Sequence, residues 1–224
     1  MPINKEAYQQ LITELQPKNV ALVAVSKFKS LEDINELYDL GHRDFGENYV
    51  QEMAEKYSLL PPDIRWHYIG HLQRNKVKVI IPFVQLIQGV DSLRLLKEIN
   101  NQAEKVNRVV DCLLQVHIAE EETKFGLDKQ ELNDLMTKNS GQVHELKNIK
   151  IVGLMGIASL TGDMGKVRAE FRYLKTVYNK YALLAIHHSP FTILSMGMSV
   201  DYKIAVEEGS NMVRIGSLIF GERG

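Results

Sequence analysis

A chain of 224 residues with a formal net charge of −1 carries no overall field that would draw it to nucleic acid or to an anionic membrane. Its composition, 45% hydrophobic and 25% charged, is that of a soluble globular protein with a sizeable core. One cysteine, Cys112, excludes an internal disulfide and fits a reducing compartment; with no signal-peptide core in residues 1–16 and no apolar run of spanning length, a cytoplasmic chain without a membrane partner is expected.

The predicted elements alternate along the chain. A leading helix, Lys5–Leu15, precedes the strand Val20–Val25 and the helix Leu31–Leu40, which Ser30 caps and whose first turn holds Asp33. The strand Asp44–Phe45 leads into Gly46-Glu47-Asn48 and a helix start, and Pro61-Pro62 makes a loop before the strand Trp66–Ile69. Next come the strand Leu86–Val90, the helix Leu93–Asn101 behind Asp91-Ser92, the strand Val109–Ile118, the helix Lys129–Lys138 behind Asp128, and the strand Ile149–Met155. The helix Gly165–Leu184 places Val167, Phe171, Leu174 and Tyr178 on one face, and the strands Ile193–Met196 and Val213–Ile215 complete the series. Cys112, within the apolar run Val109–Leu114, reads as a buried small hydrophobe. Eight strands alternating with helices imply parallel strands with right-handed crossovers. In this length they predict a single-domain (β/α)8 TIM-type barrel over residues 1–224 with an extra N-terminal helix; a doubly wound open sheet is the second choice.

In such a barrel, ligand-facing residues gather at the C-terminal ends of the strands. Those positions hold Ser26-Lys27, Gly46-Glu47-Asn48, Gly70-His71, Asp91, His117 with Glu121–Lys124, Gly156 with Ser159, the loop Ser195-Met196-Gly197-Met198-Ser199, and Arg214 with Gly216-Ser217. This polar, glycine-rich set is predicted to form one mouth. A lysine held in a dry mouth has its ammonium form disfavoured and can attack a carbonyl; taken alone, Lys27 reads as a solvated lysine at a strand end. The two late loops read either as ordinary turns or as a phosphate site, with glycine N–H groups, serine hydroxyls and a following helix start in the loops where barrels hold phosphate. Arg214, between Val213 and Ile215, is either a fixed cation for a ligand or half of a buried ion pair. Alone, Asn48 reads as a helix cap and His71 as a loop histidine. The other histidines, His42, His67, His117, His144, His187 and His188, lack metal-ligand spacing, so no metal is expected. Dinucleotide, Walker and nucleophile-elbow motifs are absent, and the basic run Arg74, Lys76 and Lys78 reads as a solvated helix face, with no nucleic-acid partner.

Six motifs stand in order: Ala24-Val25-Ser26-Lys27; Phe45-Gly46-Glu47-Asn48-Tyr49-Val50-Gln51-Glu52; Trp66 through Lys76; Gly153-Leu154-Met155; Leu194 through Ser199; and Val213-Arg214-Ile215-Gly216-Ser217 with Phe220-Gly221-Glu222-Arg223. Together they resemble the pyridoxal phosphate homeostasis proteins, the YggS/PROSC family, over essentially the whole length. The resemblance implies a barrel like the N-terminal domain of alanine racemase (fold type III) and pyridoxal 5′-phosphate (PLP) as cofactor. By that resemblance Lys27 matches the Schiff-base lysine and Arg214 the arginine facing the pyridine nitrogen. Ser195, Gly216 and Ser217 match the phosphate cradle, with Met196, Gly197 and Ser199 close by, and Asn48 and His71 match the pocket lining. An arginine leaves the ring nitrogen unprotonated and the ring a weaker electron sink. The chain also ends at Gly224, soon after the last strand, without the further domain and partner tyrosine of the racemases. The implied role is therefore PLP homeostasis with little or no turnover, not an enzyme. The aldehyde is kept bound and deliverable to apo-PLP enzymes, by a monomer or weak dimer. A weak amino-acid racemase and a Schiff-base sugar-phosphate aldolase are the alternatives. His117 departs from the family's Asn, and Ser217 stands where Thr is frequent.

Overall fold

The computed structural model describes residues 3–120, 125–183 and 190–221; of the positions singled out above, Glu121–Lys124, Leu184, His187, His188, Glu222, Arg223 and Gly224 lie outside them. Eight parallel strands, β1 (Ala21–Val25), β2 (Asp44–Glu47), β3 (Arg65–Tyr68), β4 (Leu86–Val90), β5 (Val110–Val116), β6 (Ile149–Gly156), β7 (Ile193–Ser195) and β8 (Met212–Ile215), close in chain order. Strand β8 returns to pair with β1 through Leu22↔Val213 and Val23↔Arg214, so the sheet is a barrel and not the open alternative.

Two strand ends differ by two residues from the sequence expectation, and the others agree to within one. Strand β2 continues through Gly46 and Glu47, which pair with His67 and Tyr68 of β3; cross-strand pairing overrides the poor strand preference of glycine. Strand β5 stops before His117 because the chain folds back there: the His117 N–H donates to the Leu127 carbonyl, and the Leu127 N–H donates to Gln115.

The helices are α1 (Lys5–Leu15), α2 (Leu31–Asp39), α3 (Val50–Leu59), α4 (Val77–Ile80), α5 (Leu93–Lys105), α6 (Lys129–Met136), α7 (Ser140–His144), α8 (Met164–Ala182), α9 (Tyr202–Glu207) and α10 (Ser217–Phe220). Helix α2 starts where its cap predicted: Ser30 Oγ accepts from the Asp33 N–H at 3.1 Å. Since α2 directly follows the Lys27 loop, Ser30→Ala is expected to cost about 1 kcal/mol, read as a shifted urea midpoint with unchanged slope.

Strand alternation divides the core. Leu22 and Ala24 of β1 pack outward with the helices, whereas Val23 joins Leu86, Leu113, Val152, Met155 and Met212 in a separate inner cluster. Gly153 of β6 is required by contact: a Cβ there would lie 1.7 Å from the Ile193 carbonyl oxygen of β7. Cys112 is fully buried in the outer face of β5, and burial pushes its thiol well above the ordinary range. Among the described residues no helix is long and apolar enough to cross a membrane.

Candidate functional site

The loops after β1, β7 and β8 meet around a cavity of 270 Å³, lined by Lys27, Lys29, Ser199, Arg214, Gly216 and Ser217 together with apolar residues. Among the described residues three cationic side chains border it and no carboxylate does. The loops are tied to one another. The Gly216 N–H donates to Ser199 Oγ at 3.3 Å, the Arg214 N–H donates to the Gly197 carbonyl at 3.0 Å, and Lys29 Nζ donates to the Phe220 carbonyl at 2.9 Å. Gly197 turns at φ +97°, and a Cβ there would lie 2.5 Å from that of Ala205, so the β7 loop packs down on α9 only with glycine at this point.

Arg214 is 3% exposed. Its Nη1 donates to Ser195 Oγ at 2.6 Å and its Nη2 to the Gly156 carbonyl at 3.0 Å. Among the described residues no carboxylate lies within ion-pair distance of its guanidinium. Burial pushes its pKa down to about 10 against the opposing charge of Asp201. Ser195 and Met196, expected at or beside the cradle, lie beneath it and are both fully buried. The Ser195 hydroxyl is engaged by Arg214 and donates to Gln88 Oε1 at 2.7 Å; Met196 packs into the outer core, and its N–H donates to the Met212 carbonyl.

Asn48 and His71 line a hollow of 390 Å³ with Tyr68, Gln73 and Lys76. Asn48 Oδ1 is buried there without a hydrogen-bond partner. His71 Nδ1 donates to Asp91 Oδ2 at 3.1 Å, and its ring stacks on Phe125 with centroids 4.0 Å apart. His117 is half-buried at the end of β5. No group of three or more side chains able to hold a metal ion occurs among the described residues.

The sequence reading missed what supports Lys27. Lys56 of α3 donates through Nζ to the Ser26 carbonyl at 2.7 Å, to Glu47 Oε1 at 2.8 Å and to Glu52 Oε1 at 2.7 Å. Ser26 Oγ donates to Glu47 Oε1 at 2.6 Å, and the Phe28 N–H donates to Glu52 Oε1 at 2.5 Å. Both chain neighbours of Lys27 are thereby clamped by one ionic cluster, whose Lys56 and Glu47 side chains are only 6% and 0% exposed. Phe28 sits at φ +62°, a left-handed conformation that a bulky residue adopts only when its surroundings impose it. Burial raises the Glu47 pKa, and the Lys56 charge opposes the rise. The spacing of Glu52 and Lys56, i and i+4 on one helix, was the readable signal.

The chain matches the family model described as "Alanine racemase, N-terminal domain" over residues 5–224. It is 41% identical over 203 residues to the pyridoxal phosphate homeostasis protein of Aquifex aeolicus, covering 90% of this chain and 86% of that one. Its fold superimposes on PipY of Synechococcus elongatus solved without PLP, with a TM-score of 0.89 and 35% identity over 96% of this chain and 99% of that one. The structure of PipY with PLP bound matches with a TM-score of 0.86 and 34% identity over the same shares.

Proposed function

The chain belongs to the alanine racemase N-terminal domain family, and from that premise we propose that it is a PLP-binding protein of PLP homeostasis, which holds the cofactor through Lys27 with little or no turnover. The observation that carries this reading is the donor set around the 270 Å³ cavity: two amines, a guanidinium, two hydroxyls and a glycine amide, with no carboxylate among the described lining residues to repel a phosphate. When bound, the cofactor supplies an aldehyde that a primary amine captures as an imine. Lys27 is the amine placed for this, at the end of β1 and clamped on both sides. Ser199, Gly216 and Ser217 hold the phosphate, with Gly197 shaping their loop and Ser195 and Met196 supporting it from below. Arg214 donates to the ring nitrogen. Asn48, with its unpartnered Oδ1, and His71 flank the entrance.

The same residues support holding over turnover. A guanidinium cannot accept a proton, so it leaves the ring nitrogen unprotonated and the ring a weak electron sink. Among the described residues the ionisable side chains lining the cavity are Lys27, Lys29 and Arg214, and Lys29 is tied to the Phe220 carbonyl, which supports holding over proton transfer there. The cofactor leaves to apo-PLP enzymes in the cytoplasm, and the protein acts as a monomer or weak dimer.

The test is the visible spectrum of the purified protein with added PLP, before and after borohydride, followed by peptide mass mapping. The expected result is an imine band that vanishes on reduction, with the pyridoxyl mass on Lys27. A protein that stays colourless with PLP overturns the proposal in favour of a lysine-dependent sugar-phosphate aldolase.

A further inference from the structure

Inside the barrel, polar side chains from five strands form a continuous line. Asp44 Oδ1 lies 3.0 Å from His67 Nε2, His67 Nδ1 lies 3.2 Å from Gln88 Nε2, Gln88 Oε1 lies 2.7 Å from Ser195 Oγ, and Ser195 Oγ lies 2.6 Å from Arg214 Nη1. The line starts at the first residue of β2, on the floor of the barrel, and ends at the mouth. His67, Gln88, Ser195 and Arg214 are 4%, 0%, 0% and 3% exposed. Burying four polar residues beside an apolar cluster is costly unless each finds its partner.

We propose that Asp44, His67, Gln88 and Ser195 are positioning residues that hold Arg214 in its donor role through a hydrogen-bond relay of fixed direction. The inference rests on the reading that Arg214 faces the cofactor ring. Its direction follows from elementary donor rules. A guanidinium only donates, so Ser195 Oγ accepts from Arg214 and turns its own proton to Gln88 Oε1. With the Gln88 oxygen assigned, its amide nitrogen must donate, and His67 Nδ1 must accept. The His67 proton then sits on Nε2 and is donated to the Asp44 carboxylate. Burial works against the Asp44 charge, but hydrogen bonds from Arg65 and His67 hold its carboxyl well below the usual carboxylate range, so the accepting end stays ionised.

The relay accounts for a buried guanidinium with no carboxylate in contact among the described residues. Asp201 acts on Arg214 through its charge, and the Asp44 carboxylate stands at the far end of four hydrogen bonds, where it cannot compete with the cavity for the N–H groups of Arg214. A carboxylate in direct contact would draw those groups away.

The experiment uses the full chain with PLP and a thermodynamic cycle of Gln88→Leu, Arg214→Leu and the double variant. The readouts are the PLP dissociation constant by absorbance titration, the position of the imine band and the melting temperature. Gln88→Leu is expected to weaken PLP binding about tenfold and to shift the band while borohydride still labels Lys27. In the Arg214→Leu background the same change is expected to alter neither the constant nor the band, because a residue acting through Arg214 has nothing left to act on. Wild-type affinity and spectrum in Gln88→Leu, or effects that add in the double variant, overturn the relay. Ser195→Ala carries the same cycle should Gln88→Leu fail to fold. Absence of pyridoxyl label on Lys27 in the wild-type chain instead overturns the PLP reading itself, so the two failures are separable.

Discussion

Lys27→Ala is expected to lose all covalent capture of PLP while keeping part of its affinity for the cofactor. The substitution removes one amine and leaves the rest of the donor set. Ser199, Gly216 and Ser217 stay tied by the Gly216 to Ser199 hydrogen bond, and Arg214 stays held by Ser195 and Gly156. The backbone at position 27 keeps its shape because the clamp grips Ser26 and Phe28, not the lysine side chain. Borohydride should therefore leave no adduct at this position, whereas equilibrium dialysis should still recover bound PLP that phosphate displaces. Lys29 does not substitute, since its Nζ is engaged by the Phe220 carbonyl. Loss of all PLP affinity in this variant would count against the phosphate assignment of Ser199, Gly216 and Ser217.

Lys56→Met is expected to cost about 3–5 kcal/mol of stability, the range found when one partner of a buried ion pair is removed. Methionine fills most of the lysine stem but satisfies none of the three oxygens that Nζ now serves. Glu47 is fully buried and its Oε2 already lacks a hydrogen bond, so the loss falls on a carboxylate with little other support. The sign of the pH dependence follows from its raised pKa. A carboxyl whose folded pKa exceeds the unfolded value contributes most below the unfolded value, and that contribution is lost as pH rises through the folded one. Burial raises Glu47 above 4.5, and without the Lys56 charge it rises further. The deficit of Lys56→Met relative to wild type should therefore be larger at pH 8 than at pH 5 in urea unfolding, and adding Glu47→Gln should recover part of it at pH 8. An equal deficit at both values would remove Glu47 ionisation as its cause. The released Phe28 backbone should also slow the capture of PLP by Lys27.

The barrel was legible because each strand is a short apolar run bounded by turn residues, and because the polar residues fell consistently just beyond the strand ends. Helix α7 was not, and α4, α9 and α10 could be expected only without bounds, as a helix face at Arg74, Lys76 and Lys78 and as helix starts behind the late loops, since segments of four to six residues carry too little periodicity to read and are held by packing rather than propensity. Lys27, Ser199, Arg214, Gly216 and Ser217 could be expected together from their positions at β1, β7 and β8. Ser195 shows the limit of that reasoning. Its place at the end of β7 and its hydroxyl suit an anion cradle, but the inward register of a three-residue strand delivers that hydroxyl to Arg214 and Gln88. Lys56 was passed over for the opposite reason: lysines are rarely buried, and only the fold brings its ammonium under the Ser26 carbonyl.

The fully buried Cys112 leaves the native surface without a reactive thiol, since this is the chain's one cysteine and solvent does not reach it. A cysteine introduced by design is then the one site a maleimide can modify in the folded protein. Val200 is 75% exposed and borders the cavity, so Val200→Cys would place a dye at the mouth itself. Arrival and departure of a bound molecule would then be read as a change in emission from this protein alone, in a mixture where other proteins compete for the same ligand.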